Sequence, residues 1–422
     1  MSQINKKTAT TTRIYALDAL RASIMILGVF LHGAVPYMQV PMPGLLWPVT
    51  DPSAGWVYDS VLWYIHGFRI PLFFLIAGFF SAMLYDLRGP QGFLLHRFRR
   101  VGIPLVMAIV VILPPTYYLW SWGLVEQDIL TWREVWRFTH EDRQIKNQLL
   151  GLAHLWFLQY LLIYYLLYYL LRSRSPALLE FPKRIRLLER WWWPLTLVAV
   201  TFPLLWLRPE IYTYYDNRWM PEPWGLLYYA VFYLVGSHLY RVRDQLQRLI
   251  ATGTYYIIAS LVIFTFLFQT LKWQLTGDPA SQDATWFFAL ATALYSWLAV
   301  WGFLGVCLMV FSRVSPRLRF MSDSAYWIYL VHLPLVGLMH LLLEYLQDLG
   351  GFSIPSSVGF VVSVSATLAI SLLSYKHFVR CGAIGKWLHG PKEKVPLESS
   401  GPRGFPRPGL AQHPSGSKET GS

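Results

Sequence analysis

The chain has 422 residues, 55% of them apolar and 14% charged, and carries a net charge of +13. Apolar runs such as Leu155 to Leu171 and Tyr255 to Leu271 exceed what a soluble core helix needs, so the composition excludes a soluble globule and predicts an all-α integral membrane protein. The basic surplus is concentrated in alternate loops, which points to membrane topology and contact with lipid headgroups and not to a nucleic-acid surface.

In chain order the apolar patterning predicts about ten transmembrane helices, near residues 17–40, 61–85, 101–121, 152–171, 192–207, 224–240, 254–272, 286–311, 325–346 and 355–375. They leave an N-terminal tail at 1–16, a transmembrane domain at 17–380 and a tail at 381–422, whose Pro, Gly, Ser and charge content predicts disorder. Of the 36 Lys and Arg residues, 28 fall in the termini and the loops of one side, seven on the other, and one, Arg69, inside a span. That asymmetry predicts that both termini are cytoplasmic. The first span lacks a small-x-small cleavage site and is expected to stay uncleaved. Twenty tryptophans and 26 tyrosines suit aromatic belts and helix packing, while Cys307 and Cys381 have the spacing of neither a disulfide framework nor a metal knuckle.

Arg21 and His32 bracket the run Ala22 to Leu31 in the first span. Eleven residues of helix advance about 16 Å and turn through about 1100°, so both side chains share a face, one at the membrane edge and one near its middle. A histidine at that depth is either hydrogen-bonded to a neighbouring helix or functional, and as a neutral imidazole it suits a general base. Asp18, one turn before Arg21, is a ready partner for the guanidinium.

The second span carries His66 and Arg69 on one face. A buried arginine there either binds an anion or pairs with an acid from another helix. Ala77-Gly78 is read as close helix packing. Arg97, Arg99 and Arg100 precede Ile103-Pro104, where they either snorkel to lipid phosphates or clamp a phosphorylated ligand.

Among the outward segments 41–60, 122–151, 208–223 and 273–285, the second is expected to hold a short amphipathic helix with Trp132, Val135 and Trp136 on one side. His154 opens the fourth span, and Tyr326, Tyr329 and His332 enter the ninth. The three histidines form a polar path if their helices converge. The chain has no phosphate loop, dinucleotide fingerprint or HExxH metal motif.

Five of these features occur in the order seen in the membrane acyltransferase family 3. Leu17-Asp18-Ala19-Leu20-Arg21 followed by His32 resembles its opening motif. Phe68-Arg69 with Pro71-Leu72-Phe73-Phe74 and Ala77-Gly78-Phe79-Phe80 resembles its second-span signature, with alanine at 77 where many members have serine. Arg97 to Arg100 resembles its Arg-x-x-Arg, His154-Leu155-Trp156-Phe157 its fourth motif, and Ile328-Tyr329-Leu330-Val331-His332 its late one. The resemblance, from about residue 13 to 380, implies a bacterial inner-membrane enzyme that moves an acyl group from cytoplasmic acyl-CoA, used as a donor substrate and not as a tightly bound cofactor, to an extracytoplasmic hydroxyl. Within the family, His66 to Arg69 and the short tail resemble a succinyl-transferring branch acting on periplasmic glucans.

The resemblance implies catalytic roles for His32, Asp18 and Arg21, substrate-binding roles for His66, Arg69, Arg97, Arg100, His154 and His332, and no metal. A transporter or flippase without chemistry accounts equally for ten spans and buried charge, but less well for a histidine in helix phase with an arginine at the inner edge.

Overall fold

The computed structural model describes residues 15–175, 193–213, 215, 217–277, 285–311, 315–380, 382 and 385; the expected tails at 1–16 and 381–422 lie almost wholly outside them. The described chain is helical: α1 (Tyr15–Ala34), α2 (Trp56–Arg97), α3 (Ile103–Val111), α4 (Leu113–Glu126), α5 (Trp132–Arg137), α6 (Arg143–Leu149), α7 (Trp156–Arg174), α8 (Trp193–Leu207), α9 (Glu210–Thr213), α10 (Pro223–Arg241), α11 (Leu246–Thr276), α12 (Thr285–Val310), α13 (Pro316–Gly350) and α14 (Ser356–Ser374). Local chemistry sets several of their starts. Proline occupies the first turn of α4, α10 and α13, where its missing N–H costs nothing, and Glu222 caps α10 by accepting from Gly225 N at 2.6 Å.

Seven helices among the described residues are long and apolar enough to cross a membrane. The expectation was about ten, and the difference has local causes. Span 61–85 and the first half of span 101–121 fall in one helical run, Trp56–Val111, bent at Gly89 where φ is 68°, and the rest of the second lies in α4. α8 is apolar, but 15 of its residues are described, whereas a perpendicular crossing takes about 20. α10, rich in tyrosine, is not among the seven.

α1, α2 and α12 form the interior, each with 67% of its most apolar window buried, whereas α11 and α14 bury 22% and 28% and keep apolar faces outward, as lipid contact requires. Close approaches run through glycine. A β-carbon on Gly78 would run into the backbone carbonyl of Tyr233 on α10, and one on Gly236 into that of Leu75 on α2, so the expected packing role of Ala77-Gly78 is met.

At one end of the bundle the loops interlock. Asp59 accepts from Gln39 N at 2.8 Å and Val40 N at 3.1 Å, Gln148 Oε1 accepts from Leu46 N at 2.5 Å, Tyr215 N donates to Pro43 O at 3.0 Å, and Leu152 N donates to Asn217 O at 2.8 Å. Segments 38–55, 127–155 and 208–222 are thereby one knot, the loop end. α5 starts with a capping box between Thr131 and Glu134, and those hydrogen bonds hold the Glu134 carboxyl below its ordinary range. The helix turns Val135 inward and leaves Trp132 and Trp136 exposed, so the three residues do not share the expected face.

Candidate active site

A cavity of about 540 Å³ lies among α1, α2, α7, α10 and α13 and reaches the loop end. His32, His66, Arg69, His154 and His332 all line it, so five of the nine residues singled out from the sequence meet in one place, and the helices of spans one, four and nine do converge. Asp18, Arg21, Arg97 and Arg100 do not line it. The physical reason is length: eleven residues of α1 put Arg21 about 16 Å below His32, so sharing a helix face does not bring them to one chamber.

The histidines are in ring contact. His32 and His332 have centroids 5.2 Å apart, as do His154 and His332, and Tyr329 stands 5.3 Å from His154. Backbone carbonyls fix two tautomers. His332 Nδ1 lies 2.8 Å from Tyr329 O and 3.1 Å from Ile328 O, and His154 Nε2 lies 3.1 Å from Leu330 O. A carbonyl only accepts, so these nitrogens carry the hydrogens, and in the neutral ring His332 Nε2 and His154 Nδ1 are bare. Both bare atoms, and His32 Nδ1, are buried without a partner among the described residues. Despite their closeness these side chains form no cluster suited to a metal among the described residues.

Behind His32, the Trp47 ring stacks at 5.9 Å with planes 7° apart, and Trp47 Nε1 donates to His340 Nδ1 at 3.0 Å. His66 packs edge-on to Trp63 and Tyr212 at 5.6 and 5.7 Å.

Arg69 is the charged side chain that α2 brings to the chamber. It is half-buried, its buried Nε lacks a partner, and it forms no ion pair among the described residues, although the guanidinium lies within electrostatic reach of Tyr329, Tyr229 and His32. The reading of a structural pair with an acid from another helix therefore finds no support there. Gly28 on α1, one turn before His32, makes the room: a β-carbon at 28 would collide with Arg69 Nη1.

The opposite, arginine end is separate. Arg21 Cζ sits 5.9 Å from the Phe80 ring, a long ion pair of 3.7 Å links it to Asp18, and it lies within electrostatic reach of Tyr326. Arg97 lies 4.9 Å over the Tyr165 ring and 6.0 Å from Phe93. Tyr326 stacks on Tyr329 at 6.3 Å, so a tyrosine septum stands between the arginines and the histidines.

Sequence reasoning missed Trp47, Gly28, Tyr215, Tyr229 and the polar rim formed by Gln144, Asn147, Arg208, Glu210, Asn217 and Glu222. These rim residues lie in the outward segments 122–151 and 208–223, whose density of amide and charged side chains is the available signal.

The chain matches the acyltransferase domain over residues 14–376. It is 26% identical over 408 residues to Glucans biosynthesis protein C of Salmonella gallinarum (strain 287/91 / NCTC 13346), and 24% to the protein of the same name in Salmonella paratyphi B (strain ATCC BAA-1250 / SPB7), in each case over 92% of this chain and 97% of the relative. No solved structure matches. A domain match spanning nearly the whole chain makes this protein a member of the membrane acyltransferase family 3.

Proposed function

We propose that the protein is an O-acyltransferase of the bacterial inner membrane that moves a succinyl group from cytoplasmic succinyl-CoA to hydroxyls of a periplasmic glucan. The observation that carries the reading is Arg69, a half-buried guanidinium with no acid partner among the described residues, lining the same chamber as His32. An acyl group ending in carboxylate gives it a bidentate partner, whereas acetyl leaves it unpaired. The names of the two Salmonella relatives support a glucan as acceptor.

In this reading the loop end is periplasmic and the arginine end and both termini are cytoplasmic, with lipid around the bundle. Arg21, Arg97 and Arg100 bind CoA phosphates, and Asp18 steadies Arg21. The glucan hydroxyl enters past the polar rim, where His66 and His154 contact donor or sugar. His32 takes the hydroxyl proton as the oxygen attacks the thioester carbonyl, the C–S bond breaks, and CoA leaves as a thiolate that takes up a proton.

Mass spectrometry of periplasmic glucans from cells with and without the protein tests this: a gain of succinyl units is expected, and Arg69→Ala should narrow the preference for succinyl over acetyl. Acetylated glucan, or unchanged glucan with another envelope glycan altered, overturns the donor and acceptor. A succinyl-CoA thioester left intact by the purified protein would instead favour a transporter.

A further inference from the structure

His32 Nδ1 and His332 Nε2 are both buried without a partner among the described residues, and they belong to two rings in contact. The second is bare, because Nδ1 of His332 carries its hydrogen toward the carbonyls of Ile328 and Tyr329. The ring centroids are 5.2 Å apart. Subtracting about 1.2 Å from each centre to a ring nitrogen leaves about 2.8 Å, so two nitrogens turned to face each other stand at hydrogen-bond distance.

From this geometry we infer that His332 is a positioning residue for the transfer step: its Nε2 accepts the Nδ1–H of His32 and so holds His32 in the tautomer whose Nε2 is bare toward the chamber. This rests on the reading of His32 as the base. Without such an acceptor, His32 is free to carry its hydrogen on Nε2 and then has no lone pair to offer the hydroxyl.

The logic is that of a base oriented by a third group, with an imidazole in the place a carboxylate takes elsewhere. α13 supplies the constraint, since the carbonyls that fix His332 belong to the residues three and four positions before it. When His32 takes the hydroxyl proton on Nε2, its positive charge is shared with a neutral acceptor and not with a buried anion. His154 also presents a bare nitrogen, but its ring contacts are to His332 and Tyr329.

The test compares wild type with His332→Gln, which keeps an acceptor oxygen near the position of Nε2, and His332→Phe, which keeps bulk and removes it. Nitrogen NMR of histidine-labelled protein, with His32→Gln used to assign the His32 signals, should show hydrogen on His32 Nδ1 in wild type and His332→Gln, and on Nε2 in a large fraction of His332→Phe. Turnover should fall about 10²- to 10⁴-fold in His332→Phe with the half-saturation for acyl-CoA unchanged, and remain within about tenfold of wild type in His332→Gln.

Hydrogen on His32 Nε2 in the wild type, wild-type turnover in His332→Phe, or equal losses in the two variants would overturn the inference. The spectra are read without turnover. A protein that cleaves no acyl-CoA would thus sink the acyl-donor reading while the histidine pairing is still decided.

Discussion

Gly28→Ala should separate the fold from the chemistry. On propensity alone, alanine in the middle of α1 stabilises the helix by about 0.8–1.0 kcal/mol relative to glycine. The new β-carbon, however, would occupy the place of Arg69 Nη1. To reach an ordinary separation of about 3.5 Å the guanidinium has to retreat by at least about 1 Å. The obstacle is the far end of a flexible side chain and not backbone, so the helices need not part.

A charge-assisted contact near 2.9 Å moved by that amount is no longer a hydrogen bond, and a displacement of about 1 Å in a site costs about 10²-fold in rate. In detergent-purified protein the thermal midpoint should hold or rise, succinyl transfer should fall about 10²-fold, and the succinyl-to-acetyl ratio should collapse. Because both changes act on one guanidinium, the double variant with Arg69→Ala should be no worse than Arg69→Ala alone. An unchanged ratio at full rate, or additive losses in the double variant, would refute the role given to Gly28 and to Arg69.

His32→Ala should lower transfer about 10²- to 10⁴-fold while the protein still inserts and runs as a single species in gel filtration; near-normal rates would remove His32 from the step. Arg97→Ala should raise the half-saturation concentration for acyl-CoA by about 10- to 100-fold, the equivalent of about 1.5–3 kcal/mol for a lost charge-assisted contact, with little change in turnover. Gly236→Ala meets backbone and not a flexible tip, so it should cost about 1–3 kcal/mol and show as a lowered thermal midpoint together with reduced membrane yield.

The sequence was most legible where burial is expensive. His32, His66 and Arg69 stood out because an ionisable group within a span needs a reason to be there, and all three line the chamber. That His154 and His332 join them was not readable, since it depends on where α7 and α13 cross α1, and hydropathy carries no such information. Trp47 lies in an irregular segment with no periodicity, and its importance comes from stacking on a ring fifteen residues earlier. Gly28 reads as an indifferent helix residue until the arginine that occupies its missing side chain is seen. Hydropathy windows register two apolar stretches where the helix from Trp56 bends at Gly89 and continues, so a count by apolar stretch and a count by unbroken helix differ.

The tyrosine septum has an electrical consequence. A polar-rimmed chamber that reaches the loop end carries the potential of that side inward, so most of the transmembrane voltage falls across the short stretch from Tyr329 past Tyr326 to the arginines. A charge crossing the full voltage changes energy by about 2.3 kcal/mol per 100 mV. With the arginine end facing a negative cytoplasm, as proposed, an acyl group bearing a carboxylate is drawn outward toward Arg69 over that short distance, while a neutral acetyl group feels no such pull. On the proposed orientation and donor, the membrane voltage acts as a second filter, in series with the guanidinium.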